Sequence, residues 1–190
     1  MGLARLGLRL VVGGLLAGHG LQKLRGSFGG SGLEGTAKMM HAIGMHPARQ
    51  QAIAAGMSET LGGALTAAGL LSPLGPAMLT GTMAVAIDKV HKKNGVWASK
   101  GGFEYNVVII AAAFLLASEG PGPYSIDALL GRERRGLRWG LLQLVLALAT
   151  AAGAIAAGRR LAPVEGAPSE PEPTSAAQAG AEEAASSDSP

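Results

Sequence analysis

Apolar residues along the chain gather into five stretches, each close to the roughly 20 residues that cross a bilayer at 1.5 Å per residue. They run from about Leu3 to Leu21, Gln51 to Leu71, Leu74 to Val90, Phe103 to Ser118 and Leu137 to Ala157, the fourth being the shortest. Each is predicted to be a helix, so the fold class is all-α. Between the second and third lies "LLSPLGP", where Ser72, Pro73 and Pro76 supply turn and helix-start residues with little room for a loop. These two helices should form a tight antiparallel hairpin. Residues 25 to 50 make a longer polar connection with a Gly-rich start and a helical patch from about Leu33 to Ile43, expected at the membrane interface. Small residues allow helices to approach closely in lipid, and Gly14 and Gly18 form such a pair on the first helix, with "TAAGAIAAG" on the fifth.

Composition turns these apolar helices into membrane helices. Hydrophobic residues make up 48% of the chain and charged ones 15%, and the mean hydropathy is +0.29 although the last 30 residues are polar. The expected organisation is a membrane domain over 1–130, an Arg-rich linker with a fifth transmembrane helix over 131–160, and a disordered tail over 161–190. That tail is rich in Pro, Ser, Ala and Glu without an apolar period, so it cannot bury enough surface to offset ordering entropy. Arg5 and Arg9 ahead of an apolar run resemble a secretory signal, but no small-x-small site leads into a soluble domain, and a retained helix is expected. "MGLARL" has no Ser or Thr at position 6, so the myristoylation pattern fails.

Charge is divided sharply. Residues 1–160 hold all 16 Lys and Arg with seven acids, whereas 161–190 hold six acids and no Lys or Arg. The bases sit beside apolar runs with few aromatics among them, which argues against nucleic acid. The complete lack of cysteine excludes disulfides, thiolate metal ligands and thiol nucleophiles.

Polar side chains within the apolar stretches are the candidates for chemistry, because a charge at membrane depth costs at least ~2.5 kcal/mol and usually faces a protein interior. In "HGLQKL", His19 and Lys23 stand four apart on one helical face. Two readings stand: His19 caps the helix while Lys23 and Arg25 snorkel to headgroups, or His19 faces the interior as a proton-handling or ligand-binding group. Glu59 lies nine residues into the second run and must pair with a cation or be protonated; Lys23, His19 and His91 are the conceivable partners. Asp88 is a helix neighbour of both His91 and Lys92, which an interfacial salt bridge explains. Glu104 starts the fourth apolar helix, where a negative group suits the helix dipole. His19, Glu59, His91 and Glu104 could form a two-His, two-carboxylate cluster, but no Glu-x-x-His spacing accompanies them and no metal site is assigned.

In order along the chain stand "HGLQKL", "FGGSGLEGTA", "SETLGG", "HKKNG", "GGFEYN" and "GPGPYSID", each at a helix end or loop. Taken as an ordered set, they make the sequence resemble the DoxX family of small integral membrane proteins, over most of the chain and ending near Asp127. The resemblance implies a transmembrane four-helix bundle, to which this chain adds "GRERRGLR", a fifth transmembrane helix and the acidic tail. It also implies sulfur or oxidative-stress redox chemistry, since members include a small subunit of a thiosulfate:quinone oxidoreductase and a protein that assembles with superoxide dismutase and a sulfurtransferase. The family's recurring polar positions fall on His19, Gln22, Lys23, Glu59, Glu104, Tyr105, Tyr124, Ser125 and Asp127, with no catalytic assignment.

The expected function is therefore an accessory subunit of a membrane redox assembly in the plasma membrane, multi-pass, with His19, Lys23, Glu59 and Glu104 lining a polar core. Its partners would be membrane lipid, a soluble or membrane oxidoreductase, and copies of itself, and a quinone is the cofactor it would meet. The alternative is a small transporter or lipid-interacting scaffold built on the same buried carboxylate. Ten Lys and Arg on the side of the motif loops and the C-terminus, against six on the other, place those loops inside, although the cluster from Arg132 to Arg138 pulls the other way.

Overall fold

The apolar stretches become helices α1 (Gly2–Arg25), α3 (Ala48–Ala68), α4 (Leu74–Ala86), α5 (Glu104–Glu119) and α7 (Leu137–Arg160), with shorter α2 (Gly32–Ala42) and α6 (Ile126–Leu129) between them. They come from a computed structural model that describes residues 2–162. Apart from its first two residues, the acidic tail expected to be disordered lies outside the described residues. Among those described there is no strand.

α1, α3, α4 and α5 enclose a core of Val12, Leu16, Leu79, Met83 and Ile109. α2 folds across α3 and the end of α1, and α7 lies along α4 and α5. The docking of α7 has a polar centre. Gln143, fully buried, donates from Nε2 to Thr80 Oγ1 at 2.6 Å and to the Pro76 carbonyl at 3.2 Å, pinning α7 parallel to α4. Around it Ala147, Ala151 and Gly158 are buried, while Gly153 meets nothing, so part of the predicted small-residue face is a contact face.

Two boundaries have clear causes. α3 stops at Gly69, whose φ of 64° is left-handed and whose place between Arg9 and Ser125 leaves no room for a Cβ. Bonds from the Gly69 and Leu70 amides back to Thr66 and Leu65 then close the helix end. The predicted tight hairpin follows, since only residues 69–73 separate α3 from α4. At its other end α4 runs into a π turn over Ile87–His91.

The closest helix contact is α1 against α3, and its residues correct the sequence reading. Gly13, Ala17 and Gly20 face Gly56, Thr60, Gly63 and Ala67, so the backbones nearly touch. Gly14 and Gly18 do not take part: a Cβ on Gly14 would meet nothing within 4 Å, and one on Gly18 would only graze Phe28. Each residue turns the helix by 100°, so Gly14 is rotated off the face that Gly13 presents.

Among the described residues, α7 alone is long and apolar enough to cross a bilayer by length and composition, with a mean hydropathy of 2.0 over its best window. α1 carries four cations, and α4 and α5 have 13 and 16 residues. The expectation of five spanning helices is thus met on these criteria by one.

Gly63→Ala should destabilise the fold by about 1–3 kcal/mol, because its Cβ would lie 2.5 Å from both the Gly13 carbonyl oxygen and the Ala17 nitrogen. Gly14→Ala should be neutral or gain up to about 1 kcal/mol from helix propensity. Thermal unfolding of the two variants in the same detergent checks the contrast.

Candidate functional site

Glu59 sits halfway along α3 with its side chain 3% exposed, and its carboxylate is ion-paired with the Lys23 ammonium from the last turn of α1. The glycine seam explains the meeting. Where Gly20 and Gly56 let the backbones touch, a lysine one turn further along α1 has its long side chain within reach of residue 59. The helix continues through "HGLQKL" to Arg25, so His19 does not cap it, and Lys23 turns inward rather than to the headgroups. α2 makes this depth by covering the helix end: Thr36 Oγ1 lies 3.2 Å from the Lys23 carbonyl and 2.8 Å from that of Gly32.

Beside the pair opens a cavity of about 710 Å³. Its walls are mostly apolar, with four methionines (Met39, Met40, Met45 and Met83) and alanines of α3, α4 and α7. The polar groups on it are fewer and converge from separate elements: His19 and Lys23, Gln51, Ser58 and Glu59, Thr82, His91, Tyr105 with Asn106, and Thr150. Half-exposed Met39 and Tyr105 stand where it opens outwards. His91 is held by its Nδ1, 2.8 Å from the Gly101 carbonyl, which also accepts from Asn94 at 3.1 Å. A carbonyl can only accept, so the proton is on Nδ1 and a neutral His91 keeps Nε2 as a free acceptor. Asp88 pairs with Lys92, one of its two predicted neighbours, and the π turn carries His91 away to Gly101.

Two predicted core residues lie elsewhere. Glu104 opens α5, but the side chains that reach the cavity are those of Tyr105 and Asn106, 100° and 200° further round the helix. Gln22 turns towards the loop, its Nε2 3.5 Å from the Phe28 carbonyl. Among the described residues no three His, Asp or Glu side chains come together as metal ligands would; of the four in the expected cluster, His19, Glu59 and His91 line the cavity and Glu104 does not. Gln51, Ser58 and Asn106 line the cavity without having been singled out from sequence. Asn106, whose Nδ2 approaches Met83 Sδ at 3.4 Å, is the one the pattern could have flagged, as an amide inside an apolar helix.

Tyr124, Ser125 and Asp127 lie at the opposite end of the helices and form a clamp. Ser125 Oγ accepts from the Ala128 amide and starts α6. Asp127, 1% exposed, accepts from the Leu71 and Ser72 amides at 3.0 and 2.9 Å, holding the α3–α4 turn where Leu71 has a left-handed φ of 55°. Buried Arg9 donates to the Pro121 carbonyl and, at 2.7 Å, to that of Tyr124, while the Tyr124 ring is exposed. Arg9 had been read only as a basic flank of the first helix.

A family model described as DoxX matches residues 4–92. Over these residues the chain is similar to the DoxX family. No curated protein matches it, and no solved structure does. The DoxX match runs from α1 to the turn after α4, so it includes His19, Lys23, Glu59 and His91 but neither Tyr105 nor the Asp127 clamp. DoxX proteins are membrane-associated, which agrees with the apolar composition and makes this chain a membrane protein.

Lys23→Met, which leaves a buried carboxylate unpaired, should cost roughly 3–5 kcal/mol, whereas Lys23→Met with Glu59→Met should recover most of it. Chemical denaturation in detergent reads both. Asp127→Asn replaces one acceptor oxygen with a donor facing a backbone amide and should cost about 1–3 kcal/mol, with the cavity end unaffected.

Proposed function

We propose that this DoxX-like protein is a multi-pass plasma-membrane protein that acts as an accessory subunit of a membrane redox assembly, of the sulfur, quinone or oxidative-stress kind. The observation that carries the proposal is the Lys23–Glu59 ion pair on the wall of an otherwise apolar cavity of about 710 Å³. An apolar chamber with a few convergent polar groups suits an amphiphile with a small polar head. A quinone head fits the chemistry: the Lys23 ammonium and Tyr105 hydroxyl can donate to its carbonyls, and His91 Nε2 and Glu59 can accept from the hydroxyls of its reduced form. His19 is the further proton-handling group. In a chain without cysteine, the electrons come from a partner oxidoreductase.

Membrane-spanning by more than one helix is supported by what the helices turn outwards. Leu10, Val11 and Leu15 on α1, Val107 and Val108 on α5, and Val145 and Leu148 on α7 are all exposed, a surface suited to lipid rather than water.

Mass spectrometry of whatever co-purifies from native membranes in mild detergent tests the proposal. The wild-type protein should carry a quinone together with an oxidoreductase or sulfurtransferase, and Glu59→Gln, inserted at a normal level, should lose the quinone. Recovery of ordinary lipids alone would overturn the redox reading in favour of the transporter or scaffold.

A further inference from the structure

At the end of the helices away from the cavity, the linker "GRERRGLR" between α6 and α7 is fixed by contacts on three sides. Arg134 donates to the Ser72 carbonyl in the α3–α4 turn at 2.8 Å. The Gly136 amide donates to the Ser118 carbonyl of α5, and the Arg132 amide to the Asp127 carbonyl of α6, each at 2.8 Å. So placed, the guanidiniums of Arg134 and Arg138 lie 5.2 and 5.6 Å from the centroid of the same Trp139 ring. Two like charges are thereby gathered on one indole, with exposed Arg132 in the same linker. Among the described residues, none of the three acids at this end, Glu119, Asp127 and Glu133, pairs with any of them. Glu133 pairs with Arg135, and the Asp127 carboxylate accepts from the Leu71 and Ser72 amides.

An apolar track starts at the same place. Leu137, Leu141, Val145 and Leu148 are exposed, and their spacing of four, four and three residues puts them on one stripe of α7, with Arg138 at its edge. From Leu137 to Leu148 the helix rises about 16 Å, close to half of the ~30 Å hydrocarbon core, which is the depth of one leaflet. A soluble anion would match the arginines and leave the stripe bare. A molecule with a phosphate at one end and hydrocarbon chains at the other matches both.

We infer that Arg134 and Arg138 on Trp139, together with Arg132, bind the headgroup phosphate of an anionic phospholipid whose acyl chains lie along the Leu137, Leu141, Val145 and Leu148 stripe. Guanidinium forks suit phosphate oxygens, and three arginines without an acid disfavour a headgroup that carries its own cation, so a net negative lipid is selected over a zwitterionic one. This site stands apart from the cavity and is independent of what the cavity holds.

Trp139 is one of only two tryptophans, so Trp97→Phe leaves it as the single fluorescent reporter in the full chain. That protein is reconstituted in phosphatidylcholine vesicles containing either phosphatidylglycerol or phosphatidylcholine brominated on the acyl chains, where bromine quenches at short range. Brominated phosphatidylglycerol should quench Trp139 with an apparent affinity at least about fivefold higher, the preference expected from a single basic residue near a membrane surface. Arg132→Gln with Arg138→Gln should abolish that preference with an unchanged Tm, whereas Arg138→Lys, which keeps the charge, should retain most of it. Equal quenching by the two lipids would overturn the inference, as would a preference that survives the double glutamine variant. Loss of the preference in millimolar glycerol phosphate would overturn it too, by marking a site for a soluble anion.

Discussion

Backbone contact between α1 and α3 is the constraint on which the cavity end depends. With a side chain at Gly13, Gly20, Gly56 or Gly63, the two helices would stand further apart, and Lys23 would no longer reach a carboxylate halfway down α3. The pair then does two things at once. It neutralises a charge that the surrounding apolar walls could not solvate, and it leaves polar atoms on the side of a chamber that is otherwise lined by methionine and alanine. α2 completes the arrangement by covering the end of α1 so that the lysine does not lie at the surface.

The helices separate binding from bracing. At one end the cavity gathers side chains from α1, α2, α3, α4, α5 and α7. At the other, the side-chain hydrogen bonds of Arg9 and Asp127 all go to backbone groups of the turns and of the loop before α6. A carboxylate that already accepts two backbone amides in a buried site is a fastener, and that chemistry separates Asp127 from Glu59, whose partner is a side chain beside open space. Both are buried acids in a membrane protein, but their neighbours give them different work.

α7 stands between these roles. Among the described helices it alone is long and apolar enough to cross a bilayer, and it turns long rows of leucine and valine outwards, yet it docks through a buried glutamine. By closing one side of the cavity with Thr150, Ala151 and Ala154, it makes the chamber partly the product of a segment beyond the residues that match the DoxX family.

Much could be read from the chain alone. Five apolar runs became helices within a few residues of their predicted limits, "LLSPLGP" became the tight turn, and Glu59 stood out as a carboxylate that needed a partner, because burial, helix periodicity and the φ restriction of proline are local properties. Local patterns could not say which of Lys23, His19 and His91 pairs with Glu59, that Gly13 and Gly20 rather than Gly14 and Gly18 form the seam, or that Tyr105 and Asn106 reach the cavity while Glu104 does not. Those outcomes depend on the rotation of each helix about its own axis, where one residue is 100°. That angle is decided by how whole helices pack. Composition and spacing determined that the chain is helical and apolar, with a few ionisable groups set inside its apolar runs; the tertiary structure decided which of them meet, because contact is a property of two surfaces and a sequence displays only one at a time.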